Sequence, residues 1–399
     1  METPRPGLGG SRSGRRALIL TASMGSGHVS VGLELAARLR SRGYRTRLAD
    51  VHDLMPRPAG QWIAGFYFWT LRRAPWVYQA IFQAFFKHPQ ERGERVRIPV
   101  QLALPGLRRL VASFEPDVVV STYHIAGLAA AELRGRGALG CPVISFVPTF
   151  GVHELWMHPD IDGYLCISAS VADYLASRTQ RPTRTCGPLV RSAFLSPDGR
   201  SGHEPLPVEI PQAVRSALVV GGSLGIGDML RAARGVTSMP GWMAVAVCGR
   251  NEQLRGQMER VPGCTALGWV EDMAGLMRVC DVLIDNAGGL SSKEALAAGL
   301  PVVTFRPIPG HGRDDALQMQ RLGLTEVVED EGDLVAALTR LAGSPAERRR
   351  RSRRGRSLFV ADAAAELEEL IRITERPRVA VPHAIRRGPR PLPSRRLTG

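Results

Sequence analysis

Two stretches of this chain repeat one grammar: an aliphatic run, a cluster of glycines, then an apolar period of three to four residues. Residues 17–22 lead into Gly25-Ser26-Gly27 and a helical pattern over about 29–41, and residues 217–220 lead into Gly221-Gly222-Ser223 and a second helical pattern. An unbroken aliphatic run suits a parallel strand, which helices cover on both faces; a strand with one wet face would alternate instead. Strand, glycine turn and helix in succession form the repeating unit of a doubly wound sheet.

Further strands are expected at 45–49, 117–121, 143–147, 164–167, 244–247, 282–285 and 301–305. Helices are expected from just after Pro105 to about 113, from 126, from 272 and over 292–298. Between 187 and 211 the chain is rich in Pro, Gly, Ser and Asp, as a linker would be. The 399 residues exceed the ~100–200 of one domain. The expected fold class is therefore α/β, with two Rossmann-like doubly wound parallel-sheet domains facing a cleft. The expected division is a first domain over 16–190, a linker over 191–213, a second domain over 214–344 and a C-terminal helix over 345–375. Basic ends at 1–15 and 376–399 read as disordered.

Hydrophobic residues at 44% and charged ones at 22% are ordinary for a globular protein with a core, which excludes collagen, a disulfide scaffold and general disorder. No stretch of about 18 uncharged apolar residues occurs, which argues against a membrane-spanning helix. The net charge of +15 lies mostly at the ends: residues 1–16 hold four Arg and one Glu, and residues 341–399 hold fifteen Arg and six acids. That distribution favours attraction of the ends to an anionic membrane surface over a nucleic-acid groove, so no nucleic-acid partner is expected. Lysine occurs only at Lys87 and Lys293. Six isolated cysteines, without a C-x-x-C pair or a histidine at zinc spacing, read as buried thiols of a reducing cytosol. The basic N-terminus before residues 17–24 is too short of apolar length for a secretory signal and reads as the approach to a first strand.

Four motifs bear on chemistry. The turn through Gly25 and Gly27 to His28 sits where αβ folds bind ligands at the carboxyl edge of the sheet, though a tight turn with a surface histidine has the same spacing. The Gly221-to-Gly227 loop resembles a dinucleotide fingerprint. No acid follows the next strand, however, so NAD is disfavoured and a loop approaching phosphate stays open. Asn286 to Glu294 reads strand end, two glycines, hydroxyl residues and then a carboxylate. Amides at a helix start suit a diphosphate and Glu294 suits the two hydroxyls of a ribose, while simple helix capping also explains Ser291 or Ser292. Residues 61–86 hold ten of the chain's 23 aromatics, with Trp62, Trp69 and Trp76 seven apart and Arg72 and Arg73 between. This segment reads either as an amphipathic interfacial element or as two short helices packed on their own domain. Asp160-Ile-Asp162 matches a metal-binding D-x-D, but the pattern is short and precedes a strand, and no metal is assigned.

Taken in order, SMGSGH (23–28), EPDVVVSTYH (115–124), VHELWMHPDIDGY (152–164), GPLVRSAF (187–194), VCGRNEQL (247–254), LGWVEDMAGLM (267–277), NAGGLSSKEALAAGLP (286–301) and IPGHGRDDA (308–316) resemble one family. It is that of the monogalactosyldiacylglycerol synthases and processive diacylglycerol glucosyltransferases, with a remoter likeness to the lipid-linked N-acetylglucosaminyltransferase of peptidoglycan synthesis. The resemblance spans about 16–341. Asn286 stands where the family commonly has Lys, His311-Gly312 where it has Gln-Glu, and Asp315 where it has Asn; residues 147–150 read V-P-T-F in place of V-T-D.

The resemblance implies a GT-B fold and an inverting hexosyltransferase that uses a UDP-sugar and no further cofactor or metal. It also implies a lipid acceptor such as diacylglycerol, met at the inner, cytoplasmic face of the cell membrane. His28 would act as or beside the general base, its ordinary pKa of about 6.5 suiting that task. Donor contacts would come from Gly221, Gly222, Ser223, Arg250, Asn251, Trp269, Val270, Gly288, Gly289, Leu290, Ser291, Ser292, Glu294, His311 and Asp315. Acceptor and membrane contacts would come from Gly25, Gly27, Trp62, Phe66, Trp69, Arg72, Arg73, His124 and His153. Two rival expectations are a transferase for a soluble natural product and a nucleotide-sugar-binding scaffold without turnover.

Overall fold

The computed structural model of the protein describes residues 14–74, 76–77, 80, 97–196, 206, 208–359 and 361–375. Two six-stranded parallel sheets dominate it. The first contains β1 (Arg16–Thr21), β2 (Arg45–Asp50), β3 (Val118–Ser121), β4 (Val143–Val147), β5 (Gly163–Cys166) and β6 (Thr183–Thr185), in the spatial order β2-β1-β3-β4-β5-β6. The second contains β7 (Arg215–Val220), β8 (Trp242–Val247), β9 (Cys264–Leu267), β10 (Val282–Asp285), β11 (Val302–Phe305) and β12 (Thr325–Val328), in the order β12-β11-β10-β7-β8-β9. Ala17, Leu18, Ile19 and Leu20 of β1 are all fully buried, as are Ala217 and Leu218 of β7, which explains their unbroken apolar runs.

Each sheet reverses its winding once, between β1 and β3 in the first and between β7 and β10 in the second. At such a switch point the turns leaving the two adjacent strands splay to opposite faces and open a crevice at their carboxyl ends. The sequence alone therefore places the glycine turns, and the strand order places them at the two crevices.

Three expectations about elements need correction. The helix expected to begin after Pro105 runs from Arg97 to Phe114 with Pro105 inside it. Pro105 faces solvent, where the carbonyl of Gln101 that loses its partner can reach water, while Val100, Ala103, Leu104, Leu107 and Leu110 hold both halves on the core. The single C-terminal helix is instead two, Pro345–Arg356 and Ala363–Thr374, each capped by its own side chain, Ser344 and Asp362. The break turns the second helix back onto the first domain, burying Ala363, Ala364, Leu367, Leu370 and Ile371 beside β5, β6 and helix Ser26–Ser41. Within the expected linker, helix Ser192–Leu195 buries Phe194 in a hydrophobic cluster that draws on both domains. Residues 197–205 and 207, the basic ends 1–13 and 376–399, and the aromatic stretch 81–86 lie outside the described residues. Among the described residues, no helix is long and apolar enough to cross a membrane.

Candidate functional site

At the first switch point Gly25 takes φ +92°, a conformation side-chain-bearing residues rarely adopt, and the chain turns directly into helix Ser26–Ser41. The helix begins three residues earlier than the apolar period implied, so that His28 is its third residue. Its Nδ1 lies 2.8 Å from the carbonyl of Thr122, which leaves β3, so one hydrogen bond crosses the switch point. A carbonyl only accepts, so Nδ1 carries the proton and Nε2 presents a lone pair. The Thr122 hydroxyl in turn donates to the carbonyl of His28 at 3.3 Å. The expected pKa near 6.5 is corrected: burial, helped by the nearby positive charge of Lys293 and opposed by the Thr122 bond, pushes the imidazole down to about 4.

His28 lies on the wall between two chambers. The first, about 600 Å³, is lined by Ile63, Phe66 and Tyr67 of helix Ala59–Arg73, by Tyr123, His124, Val152, His153 and Trp156, and by His311 and Leu317 of the second domain. The ring of His153 stands 4.9 Å from that of His124 and 4.9 Å from that of His311. Burial holds the first two well below the usual histidine range and pushes His311 down to about 3, so the rings are neutral. Phe66 is at the rim, stacked on Trp69 at 6.2 Å, and each is 53% exposed; Trp62, 73% exposed, and Arg73, also exposed, do not line the chamber. The expected acceptor set thus divides: Phe66, His124 and His153 line the chamber, whereas Trp62 and Trp69 form an apolar outer face beside it. The side chain of Arg72 lies outside what is described.

The second chamber, about 300 Å³, is a crevice between Gly25 and Gly27 on one side and Gly221 to Ser223, Asn286, Gly289, Leu290, Ser291 and Lys293 on the other, closed by His311, Gly312 and Asp315. It continues into a third of about 270 Å³, bounded by Gly222, Ser223, Arg191, Trp269, Val270, Ser291 and Glu294. Helix Leu290–Ala298 points its first turn into the crevice, and the N–H groups of such a turn have no carbonyl partner within the helix. The Nδ2 of Asn286 donates to the carbonyl of Ile226, tying β10 to the Gly221 loop across the second switch point. Glu294 is almost wholly buried and its carboxyl is pushed up to about 7 by burial, against the opposing charge of Arg191.

Several expected donor groups have other partners. The N–H of Gly288 and the hydroxyl of Ser292 both donate to Oδ2 of the buried Asp285, whose pKa burial raises against these bonds. Neither is free to meet a ligand. Asn251 caps helix Glu252–Met258, accepting from Leu254 N at 3.0 Å and donating to Leu224 O, so it shapes the glycine loop from behind. Asp315 Oδ1 accepts the backbone N–H groups of Phe150 and Gly151 from the first domain, and Oδ2 pairs with Lys293 at 3.1 Å. Arg250 is exposed and lies 5.2 Å over the ring of Trp269. Asp162 of the D-x-D accepts from Arg134 and from Val143 N, a structural task. Among the described residues, no three His, Cys, Asp or Glu side chains are grouped to hold a metal ion.

Sequence reasoning missed Asp285, Lys293 and Arg191 as site residues. Lys293 had one visible signal, its rarity in an arginine-rich chain. Asp285 reads as the unremarked end of a strand, and only the fold shows that it collects Gly288, Ser292 and Thr304.

The chain is similar to several known proteins. The family described as monogalactosyldiacylglycerol (MGDG) synthase matches residues 31–189. A processive diacylglycerol beta-glucosyltransferase of Bacillus cereus is 24% identical over 371 residues, covering 89% of this chain and 93% of that protein. One of Bacillus thuringiensis is 26% identical over 336 residues, covering 80% and 84%. Among solved structures, MurG of Acinetobacter baumannii superposes with a TM-score of 0.57 at 16% identity, over 90% of this chain and 99% of its own. The glycosyltransferase SnogD of Streptomyces nogalater reaches 0.61 at 19% identity, over 90% and 100%. The fold is GT-B, and the sequence is similar to monogalactosyldiacylglycerol synthases and processive diacylglycerol glucosyltransferases.

Proposed function

We propose that this chain transfers a hexosyl group from a UDP-sugar to a hydroxyl of a membrane lipid such as diacylglycerol, by one inverting displacement without a metal ion. The observation that carries the reading is His28: a neutral imidazole with its Nε2 lone pair available, on the wall shared by an apolar chamber and a glycine-lined crevice. The names of the relatives support a lipid acceptor, and the apolar chamber opening beside Phe66 and Trp69 gives acyl chains a place to lie.

In this reading Glu294 accepts the ribose hydroxyls and Trp269 and Val270 wall the uracil in the third chamber. The diphosphate lies along Gly222, Ser223 and the first-turn amides of helix Leu290–Ala298. The acceptor hydroxyl approaches Nε2 of His28. As its oxygen bonds to the anomeric carbon, the bond from that carbon to the diphosphate breaks, the proton passes to Nε2, and the electron pair leaves with UDP. A single attack from the face opposite the leaving group inverts the centre. Amides already pointing at the crevice stabilise the charge that develops on the departing oxygen without reorganising. A bound diphosphate also raises the pKa of a nearby imidazole, so donor binding strengthens the base.

Trp62, Phe66 and Trp69 would seat the enzyme on the cytoplasmic face of the cell membrane as a peripheral protein. The test is incubation of the purified protein with labelled UDP-glucose, UDP-galactose or UDP-N-acetylglucosamine and diacylglycerol vesicles in EDTA. Labelled glycolipid of inverted anomeric configuration is expected from one donor. Transfer only on adding back a divalent metal overturns the mechanism, and UDP binding without transfer to any lipid overturns the function.

A further inference from the structure

We infer that Lys293 is a contact for the anionic diphosphate of the donor, held ready by Asp315; the inference rests on the donor reading above. Lys293 lies in the first turn of helix Leu290–Ala298, and its side chain folds back toward the helix start. The ammonium donates to Gly288 O at 2.7 Å and to Asp315 Oδ2 at 3.1 Å, with 7% of the side chain exposed, and it lines the crevice. Two of its three N–H donors are thus used in hydrogen bonds among the described residues, and the ammonium also lies 5.5 Å from the centre of the Phe150 ring.

A buried cation here is electrostatically out of place. The start of a helix carries the positive end of its dipole, and cations are favoured at the other end. Asp315 offsets part of that cost, yet its second oxygen already serves the amides of Phe150 and Gly151. First-turn amides and an ammonium converging on one crevice wall make a site whose missing partner is an anion. A compact ammonium bridges Gly288 O and Asp315 at one of only two lysine positions in a chain with 50 arginines.

A buried ion pair that merely braces the two domains would predict no preference for phosphate. Uridine and UDP therefore separate the two roles. In the double variant Lys293→Gln/Asp315→Asn, which keeps hydrogen-bonding groups and removes both charges, UDP should bind roughly ten- to a hundredfold more weakly than to the parent, with uridine unchanged. UDP affinity equal to the parent's overturns the inference while leaving the donor reading intact. Failure of the unaltered chain to bind either ligand overturns the donor reading and this inference with it. A second measurement needs no change at the site: in Lys87→Arg, a single lysine remains, and its isotope-labelled side-chain signal should move on adding UDP but not uridine. A signal unmoved at saturating UDP also overturns the assignment.

Discussion

On the first-domain side of His28 the wall is made of rings: Tyr123, His124, His153 and Trp156, all neutral, with Phe66 at the rim. On the second-domain side it is made of backbone and buried charge: Gly221 to Ser223, Gly289 to Ser291, Lys293 and, further along, Glu294. Both sides grow from the same construction, a glycine turn at a switch point between parallel strands. In one a histidine spans the switch to a carbonyl, and in the other Asn286 does so. The difference teaches that the fold supplies the position and the local residues supply the preference. Rings without charge accept an apolar chain at little desolvation cost, whereas preorganised amides and ions hold a polar, anionic group that water would otherwise solvate.

The comparison breaks most visibly at the shared wall. Replacement of His28 by Ala should lower the transfer rate by about 10²–10⁴-fold, the usual contribution of a positioned general base, while costing only about 1 kcal/mol of stability for the lost bond to Thr122. A smaller loss in single-turnover rate would show that proton removal is done elsewhere.

On the charged side, Glu294→Ala should weaken uridine by about 1–3 kcal/mol, the cost of losing hydrogen bonds to a charged group. The pH dependence sharpens this. The carboxyl titrates at about 7 in the folded protein and at about 4.3 in an unfolded chain. Between those values the folded state holds a proton that the unfolded state has released, so the contribution of Glu294 to stability declines as pH rises through this window and is level above it. Uridine hydroxyls favour the ionised carboxylate, so affinity by calorimetry should climb toward a plateau above pH 7, and Glu294→Gln should flatten both curves.

On the apolar side, Phe66→Ala with Trp69→Ala should weaken binding to anionic vesicles at high salt by about 1 kcal/mol per ring, since each is already half covered, and leave uridine affinity alone. Arginine attraction to the same vesicles, worth about 1 kcal/mol per residue near the surface, should vanish as salt rises. Salt-resistant binding equal to the parent's would return helix Ala59–Arg73 to a packing role. The smallest effect is expected behind the crevice: Asn251→Ala should cost about 1 kcal/mol of stability, as loss of a helix cap does, without changing uridine affinity in a titration.

Much of the fold was legible because its signals are local. Aliphatic runs such as 17–22 and 217–220 can be buried only on both faces, and glycines after them mark turns into helices, so two doubly wound domains followed from the sequence. Helix limits were less legible. Pro105 reads as a start, yet its place on the solvent side of helix Arg97–Phe114 lets the helix run through it. The glycine turns, His28 and Glu294 stood out as candidates because a turn residue, an imidazole and a carboxylate at a helix start each carry a meaning readable from neighbours.

What the sequence by itself determined was therefore the two sheets, the turns that end their strands and the residue types present there. Only the tertiary structure decided which of those groups are free. The amide of Gly288 and the hydroxyl of Ser292 are taken by Asp285, Asp315 is committed across the domain boundary, and His28 is neutral with its lone pair bare. Availability of a polar group depends on partners and burial contributed by strands distant in sequence, and those are set by packing.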